Sequence, residues 1–430
     1  MNHRPAGNPF LSEVARAQEC AALLERDQAH VIRLLTKHET YETARAEVAS
    51  AIDALQNLHR ELADMRRGTV EDIAVFLPIN LPLYSLVLFA AIPSLMTNRV
   101  EVRLPAATPA WLRTIAEAIR LGEFFPRVRL HESTRRAFIT GHATSAEAVI
   151  FTGRFESASE VHAQCPHGLF IFQGSGVNPV VIGPAADLRP EVLADIVTAR
   201  VFNGGQDCAA PDVFLVHSRR ADEFVSALVE HAEALVSGSF TDPATRIGTI
   251  LNPQTLPGLA DRLAILAPDI VLGGAVNRDA SYVSPTVIVR PVSEHDELME
   301  FFAPIFYVLV YDDERELAAF FNRREYRDHA MYVSLYGETP VPGLFDSSTV
   351  LFDRTVLQVE QGNAAFGGNG PRANFVAFDG EVEVGPALIS AVLARHIRQR
   401  RRPPEWWWDR SPDAPPRVAE PLLAGARGQR

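Results

Sequence analysis

The stretch RVFNGGQDCAAPD (Arg200–Asp212) sets one of the chain's three cysteines, Cys208, behind an Asn-Gly-Gly-Gln turn and ahead of two alanines. Small residues let a substrate carbonyl approach a thiol and leave backbone N–H groups free to meet its oxygen. Such a setting suits a nucleophile, because a cysteine thiolate is accessible near neutral pH and its thioester is readily cleaved. A packing cysteine needs none of this, and Cys20 and Cys165 are read as packing residues. The three are widely spaced with no Cys-x-x-Cys pair, which argues against a disulfide framework or a structural zinc site; no metal is expected. Free thiols point to a reducing compartment.

The elements that must position Cys208 belong to a chain of 430 residues, long enough for two or three domains. It is 47% hydrophobic and 22% charged, with a formal net charge of −12. That balance argues against nucleic acid or an anionic membrane as the main partner. The basic run HIRQRRRPP (His396–Pro404) is read as a solvated helix end. MNHRPAGNPFLSEV has no apolar leader core, and LPLYSLVLFAAIPSLM (Leu81–Met96) is short and carries Pro82 and Pro93. It reads as a buried helix, and a cytoplasmic protein without a membrane span is expected.

From about Leu11 to Met65 the spacing is helical with almost no Gly or Pro, predicting two or three amphipathic helices. From Val70, short β-type runs such as DIAVFLP, RVEVRLP and EAVIFTG alternate with helical ones. A second alternating block begins near Phe170. The pattern predicts parallel sheets covered by helices. The last thirty residues are rich in Pro and Arg and contain EWWWD, whose three tryptophans are expected to dock on the body or on another subunit.

The order of these pieces resembles the aldehyde dehydrogenase superfamily over about Val70 to Arg372. PINLP (Pro78–Pro82) sits where the family has Pro-Trp-Asn-x-Pro, and VEVRLPAATP (Val100–Pro109) matches the strand with its Lys-x-x-Glu segment. IFTGRFE (Ile150–Glu156) matches the Phe-Thr-Gly-Ser turn, and FQGSGVNPVVIGPAADL (Phe172–Leu188) the Glu-Leu-Gly-Gly-Lys-x-Pro segment. VFNGGQDC carries the Phe-x-Asn-x-Gly-Gln-x-Cys signature, followed by SPTVI, EFFAPIF (Glu300–Phe306) and AAFGGNG (Ala364–Gly370). The resemblance implies an α/β chain of two Rossmann-like three-layer domains with a short helical N-terminus. It divides into residues 1–69 (helical), 70–172 (cofactor-binding), 173–353 (catalytic), 354–400 (closing loop and C-terminal helix) and 401–430 (tail). The family's association hairpin is not evident, and a homodimer is left as one option.

By resemblance, Cys208 attacks a carbonyl carbon, and Asn80 with the Cys208 N–H stabilises the oxyanion. Glu300 holds the nicotinamide ribose beside Phe302, and Gly153 lies close to the pyrophosphate. Phe366–Gly370 is read as a structural loop at the substrate mouth. Departures from the family pattern matter equally. Gln173 stands where hydrolytic members carry the water-activating glutamate, and an amide cannot act as a general base. Asp207 is the obvious substitute but is read as a solvated loop acid, since a carboxylate there raises the thiol pKa. Arg103 replaces the ribose-contacting lysine and Ala106 the ribose-binding glutamate, which favours a 2′-phosphate; NADP(H) is preferred and NAD(H) is the alternative. Arg154 replaces a serine at the pyrophosphate, where it either pairs with the diphosphate or blocks it. Ile79 replaces a tunnel tryptophan, Val177 a lysine and Ala303 a glycine.

The expected function is interconversion of a small-molecule aldehyde and an activated acyl group, a thioester on coenzyme A or a carrier protein, through Cys208. Hydrolytic oxidation to a carboxylic acid is one alternative. A catalytically weakened scaffold is the other, and retention of Cys208, Asn80 and Glu300 argues against it.

Overall fold

The computed structural model describes residues 9–61, 69–296, 298, 300–337 and 343–400. The EWWWD segment lies outside the described residues.

Two long helices open the fold, α1 (Pro9–Leu35) and α2 (Tyr41–Gln56), followed by a 3₁₀ turn at Leu58–Arg60. Thr40 caps α2 by accepting from the Thr43 N–H. Both helices turn apolar stripes (Ala17, Cys20, Leu24 and Val31; Ala44, Val48, Ala51 and Leu55) onto the first sheet's core.

The first sheet has five parallel strands: β1 (Val70–Phe76), β2 (Thr97–Arg103), β3 (Val128–His131), β4 (Ala148–Gly153) and β5 (Leu169–Gly174). The second collects β6 (Pro179–Ile182), β7 (Val213–His217), β8 (Ile270–Leu272), β11 (Thr286–Pro291), β12 (Ile305–Tyr311), β13 (Tyr332–Tyr336) and β14 (Thr349–Phe352). A small pair, β9 (Val276–Asn277) and β10 (Tyr282–Val283), lies beside it. The chain then returns to the first sheet with β15 (Asn374–Phe378) and β16 (Glu381–Val384).

The strand orders are β16-β15-β5-β4-β1-β2-β3 and β14-β13-β6-β7-β12-β11-β8. All pairings are parallel except those of β8, β15 and β16 within these sheets. Alternate residues feed opposite cores, as the two-residue strand period requires: Ile73 and Val75 face the helical N-terminus, while Ala74 and Phe76 face Phe138 and Phe151. The second sheet repeats this with Val181 and Leu215 on one face and Val180 and Phe214 on the other. The expected α/β architecture of two mostly parallel, helix-covered sheets is therefore present, but residues 354–400, read as a closing loop and a C-terminal helix, also supply β15 and β16 to the first sheet.

Two local readings need correction. Leu81–Met96 is not one regular helix: an α-turn (Pro82–Leu86) passes through a π-turn (Val87–Ala91) into a 3₁₀ turn (Pro93–Met96), where Pro93 cannot continue the ladder. The basic C-terminal helix is not merely solvated either. His396 is buried with its Nε2 3.0 Å from Glu147 Oε1, and Arg400 reaches the same carboxylate.

Candidate active site

The cysteine turn is built by its backbone. The helix Pro190–Val201 ends in Phe202–Gly205, where Asn203, Gly204 and Gly205 all have positive φ (51°, 65° and 81°). A Cβ on Gly205 would lie 2.5 Å from the Ala303 carbonyl carbon, so glycine is required by both torsion and space. Arg200, fully buried, clamps the turn by donating to the carbonyls of Pro211 (2.8 Å), Gly205 (3.0 Å) and Ala303. Asp212 Oδ1 lies 3.9 Å from its guanidinium. On the other side Asn178 Nδ2 donates to the carbonyls of Cys208 (2.9 Å) and Ala210 (3.3 Å), and its Oδ1 accepts from the Tyr332 N–H.

Beyond the turn is a cavity of about 1060 Å³ between the two sheets. Cys208, half-buried, lines it together with Asn80, Gln173, Gly153, Arg154, Glu300 and Phe302. Seven of the nine sequence-predicted site residues thus converge on one cleft. Arg103 and Ala106 do not line it; they stand at and beyond the end of β2, which β4 and β1 separate from β5. Asn80 is buried and donates to the Gln206 carbonyl at 3.3 Å, two residues before the thiol. Its chain is held by two acids of the helical N-terminus: Glu39 accepts from the Leu81 N–H (3.1 Å) and Glu47 from the Tyr84 N–H (2.9 Å). Both acids are buried; burial and the neighbouring Glu47 carboxylate hold Glu39 well above the usual carboxylate range, and burial pushes Glu47 up to about 7.

Acids surround the thiol. Burial raises the Cys208 pKa well above the ordinary thiol range, and the Asp207 and Glu300 carboxylates raise it further. Asp207 is buried rather than solvated as expected, and it accepts from the Ala209 N–H and the Cys208 thiol. Glu300 is pushed up to about 8, first by burial and then by Asp212, with Ser175 and Arg154 pulling the other way. Gln173 donates its Nε2 to the Ala387 carbonyl at 2.8 Å, tying β5 to the C-terminal segment.

The sequence reading missed Arg200, Asn178 and Glu360. An arginine in a helix's last turn is ordinarily a dipole partner in solvent, so Arg200 carried no signal. Glu360 lines the cavity and accepts from the Tyr84 hydroxyl at 2.7 Å. Burial raises its pKa.

The residues present fit a nicotinamide dinucleotide. Among the described residues Glu300 Oε1 is buried without a partner, as a ribose-binding carboxylate would be. Gly153 (φ 131°) keeps the cleft wall bare where a phosphate would pass. Among the described residues no carboxylate pairs with Arg103, whose buried Nε is unpartnered; burial, and then the positive charge of Arg135, lower its pKa.

Two mostly parallel, helix-covered sheets closing on a cysteine turn define an α/β fold of the dinucleotide-binding type. The aldehyde dehydrogenase family profile matches residues 13–338, and the chain belongs to that family. It is 29% identical over 296 residues to a succinate-semialdehyde dehydrogenase [NADP(+)] of Mycobacterium avium, covering 63% of this chain and 61% of the relative. The chain thus spans about three fifths of that relative's length. A succinate-semialdehyde dehydrogenase [NADP(+)] 1 of Mycobacterium tuberculosis is 29% identical over 310 residues, 65% of this chain and 67% of the relative. Similar solved folds include glyceraldehyde-3-phosphate dehydrogenase GapN of Methanocaldococcus jannaschii complexed with NADP (TM-score 0.75, 16% identity, 90% and 88% covered). Succinic semialdehyde dehydrogenase of Streptococcus pyogenes in complex with NADP+ is another (TM-score 0.73, 15% identity, 89% and 91% covered). No described helix is long and apolar enough to cross a membrane.

Proposed function

We propose that the chain is an NADP(H)-linked oxidoreductase that interconverts an aldehyde and an acyl thioester. The observation that carries this reading is Gln173: the position that supplies a base in hydrolytic relatives holds an amide, tied to the Ala387 carbonyl. The NADP(+) in the names of the Mycobacterium relatives, and Arg103 without a carboxylate partner among the described residues, both support a 2′-phosphate.

Asp207, touching the thiol and raised by burial, is placed to take its proton. The Cys208 sulfur then bonds to the aldehyde carbon, and the carbonyl electron pair moves to oxygen, where Asn80 Nδ2 and the Cys208 N–H receive it. Collapse of this oxyanion breaks the aldehyde C–H bond and leaves an acyl thioester on Cys208. NADP+, when bound, supplies the acceptor for the hydride released. An incoming thiolate bonds to the acyl carbon and expels the Cys208 thiolate. The same cavity is lined by Glu47, Glu61 and Glu360 and by Arg45 and Arg262.

Glu360 carries the second reading, hydrolysis, because a buried carboxyl held by Tyr84 in this cavity is a candidate water-activating base. Product analysis separates the two. With aldehyde and NADP+, acyl thioester formation dependent on coenzyme A or another small thiol is expected. Carboxylic acid at the same rate with and without thiol contradicts the proposal.

A further inference from the structure

Three side chains that take no part in the cleft converge on the outer edge of the first sheet. Glu101 comes from β2, His131 from β3, and His142 from the residue that ends the helix Arg135–Gly141. One ligating atom from each lies within 4.8 Å of the other two. Glu101 Oε2 and His131 Nε2 are 2.5 Å apart, and the two imidazole rings are 4.4 Å apart between centroids. Phe138 packs against both rings (5.7 and 5.1 Å), and the His142 N–H is anchored on the Phe138 carbonyl at 2.9 Å. The cluster is therefore assembled by the fold, from residues 30 and 11 positions apart in sequence (101 to 131 to 142).

Glu101 supplies the negative charge of the cluster. Its Oε1 lies 3.4 Å from Arg99 Nε, but Arg99 is gripped by both Asp72 oxygens at 3.0 and 2.9 Å, which leaves Glu101 Oε2 to His131. Arg103, in register with His131, and Arg129, in register with Glu101, oppose a cation, so the donor set rather than the net charge carries the site. The Glu101 side chain is 7% exposed and that of His131 27%, so a buried carboxylate forms the floor and solvent reaches the imidazole side.

We propose that Glu101, His131 and His142 form a divalent transition-metal site with an open coordination position, for which zinc is the best-fitting ion. Two imidazole nitrogens and one carboxylate oxygen are a donor set that zinc takes with its fourth position left to water or a ligand. Closing the three atoms to metal–ligand distances of about 2.0–2.2 Å asks for rotation of the two half-buried imidazoles. A bound ion ties β2, β3 and the end of the Arg135–Gly141 helix together at the sheet edge that carries Arg103.

The test uses the full chain carrying Cys208→Ala, which removes a competing thiolate, after treatment with a chelator. Titration with Zn²⁺ alone by calorimetry, and with Co²⁺ by visible absorption, is expected to show one ion per chain and the intense bands of a low-coordinate cobalt–imidazole centre. His142→Ala and His131→Ala, each checked for native circular dichroism, should lose at least about tenfold in affinity, the lower end of what even an outer-shell partner's loss costs. Glu101→Gln, which keeps shape and hydrogen bonding, should do the same. The absence of stoichiometric binding, or binding that survives both histidine substitutions, overturns the site.

Discussion

Asn178 Nδ2 donates to the Cys208 carbonyl at 2.9 Å, so the peptide carrying the thiol is held from behind by a buried amide. The same amide nitrogen also reaches the Ala210 carbonyl and Asp212 Oδ2, and the amide oxygen accepts from the Tyr332 N–H, so the side chain ties the turn to β13. Asn178→Ala leaves buried carbonyls without donors, at a cost of about 1–3 kcal/mol. It also frees the Cys208 N–H to tilt away from the oxyanion. Urea unfolding should show the stability loss, and turnover should fall further than stability alone explains. A variant with native turnover contradicts the role.

Asp207→Asn removes a negative charge from beside the thiol. Burial, the largest cause of the raised Cys208 pKa, remains, but the contribution of Asp207 does not. The pH profile of Cys208 alkylation should therefore move to lower pH while turnover falls, because the proton acceptor is lost. An unmoved profile contradicts the electrostatic account.

The Glu39–Glu47 pair gives stability a pH dependence of definite sign. Glu47 has its folded pKa raised to about 7, so the folded state holds a proton that the unfolded chain releases near the ordinary glutamate range. Its contribution is complete at low pH and is lost as pH rises through about 7. Glu47→Gln still accepts from the Tyr84 N–H but does not titrate. The decline in melting temperature between mildly acidic and mildly alkaline pH should be shallower than in the parent.

Among the described residues Arg103, at the end of β2, has no carboxylate partner, and the positive charge of Arg135 acts on it. Losing a charge-assisted phosphate contact costs about 1.5–3 kcal/mol, roughly ten- to over a hundredfold in affinity. Arg103→Met should weaken NADPH binding by that factor, followed by nicotinamide fluorescence, and leave NADH binding unchanged. Equal loss for both cofactors would remove the 2′-phosphate assignment.

Much of this was legible in the residues. The β/α alternation, the positive-φ glycines after Asn203 and the spacing of the family motifs placed Cys208, Asn80, Gln173, Gly153, Arg154, Glu300 and Phe302, which share one cavity. What was hidden depends on burial and on long-range pairing. Asp207 reads as a loop acid until the fold covers it. Asp379-Gly380, both at positive φ, is a hairpin signal between β15 and β16, yet only pairing with β5 reveals that these strands complete the first sheet. Glu39 and Glu47 sit on or beside an amphipathic helix and give no sign in sequence that they hold the chain around Asn80. Glu101, His131 and His142 follow no spacing rule because adjacent strands bring them together.

The central claim is that Cys208 carries an acyl group that water does not readily clear. Intact-protein mass after incubation with a panel of aldehydes and NADP+, beside Cys208→Ala, tests it directly. The account predicts a lasting acyl adduct on the parent alone, discharged by coenzyme A or another small thiol. Free acid with steady turnover and no adduct would contradict it.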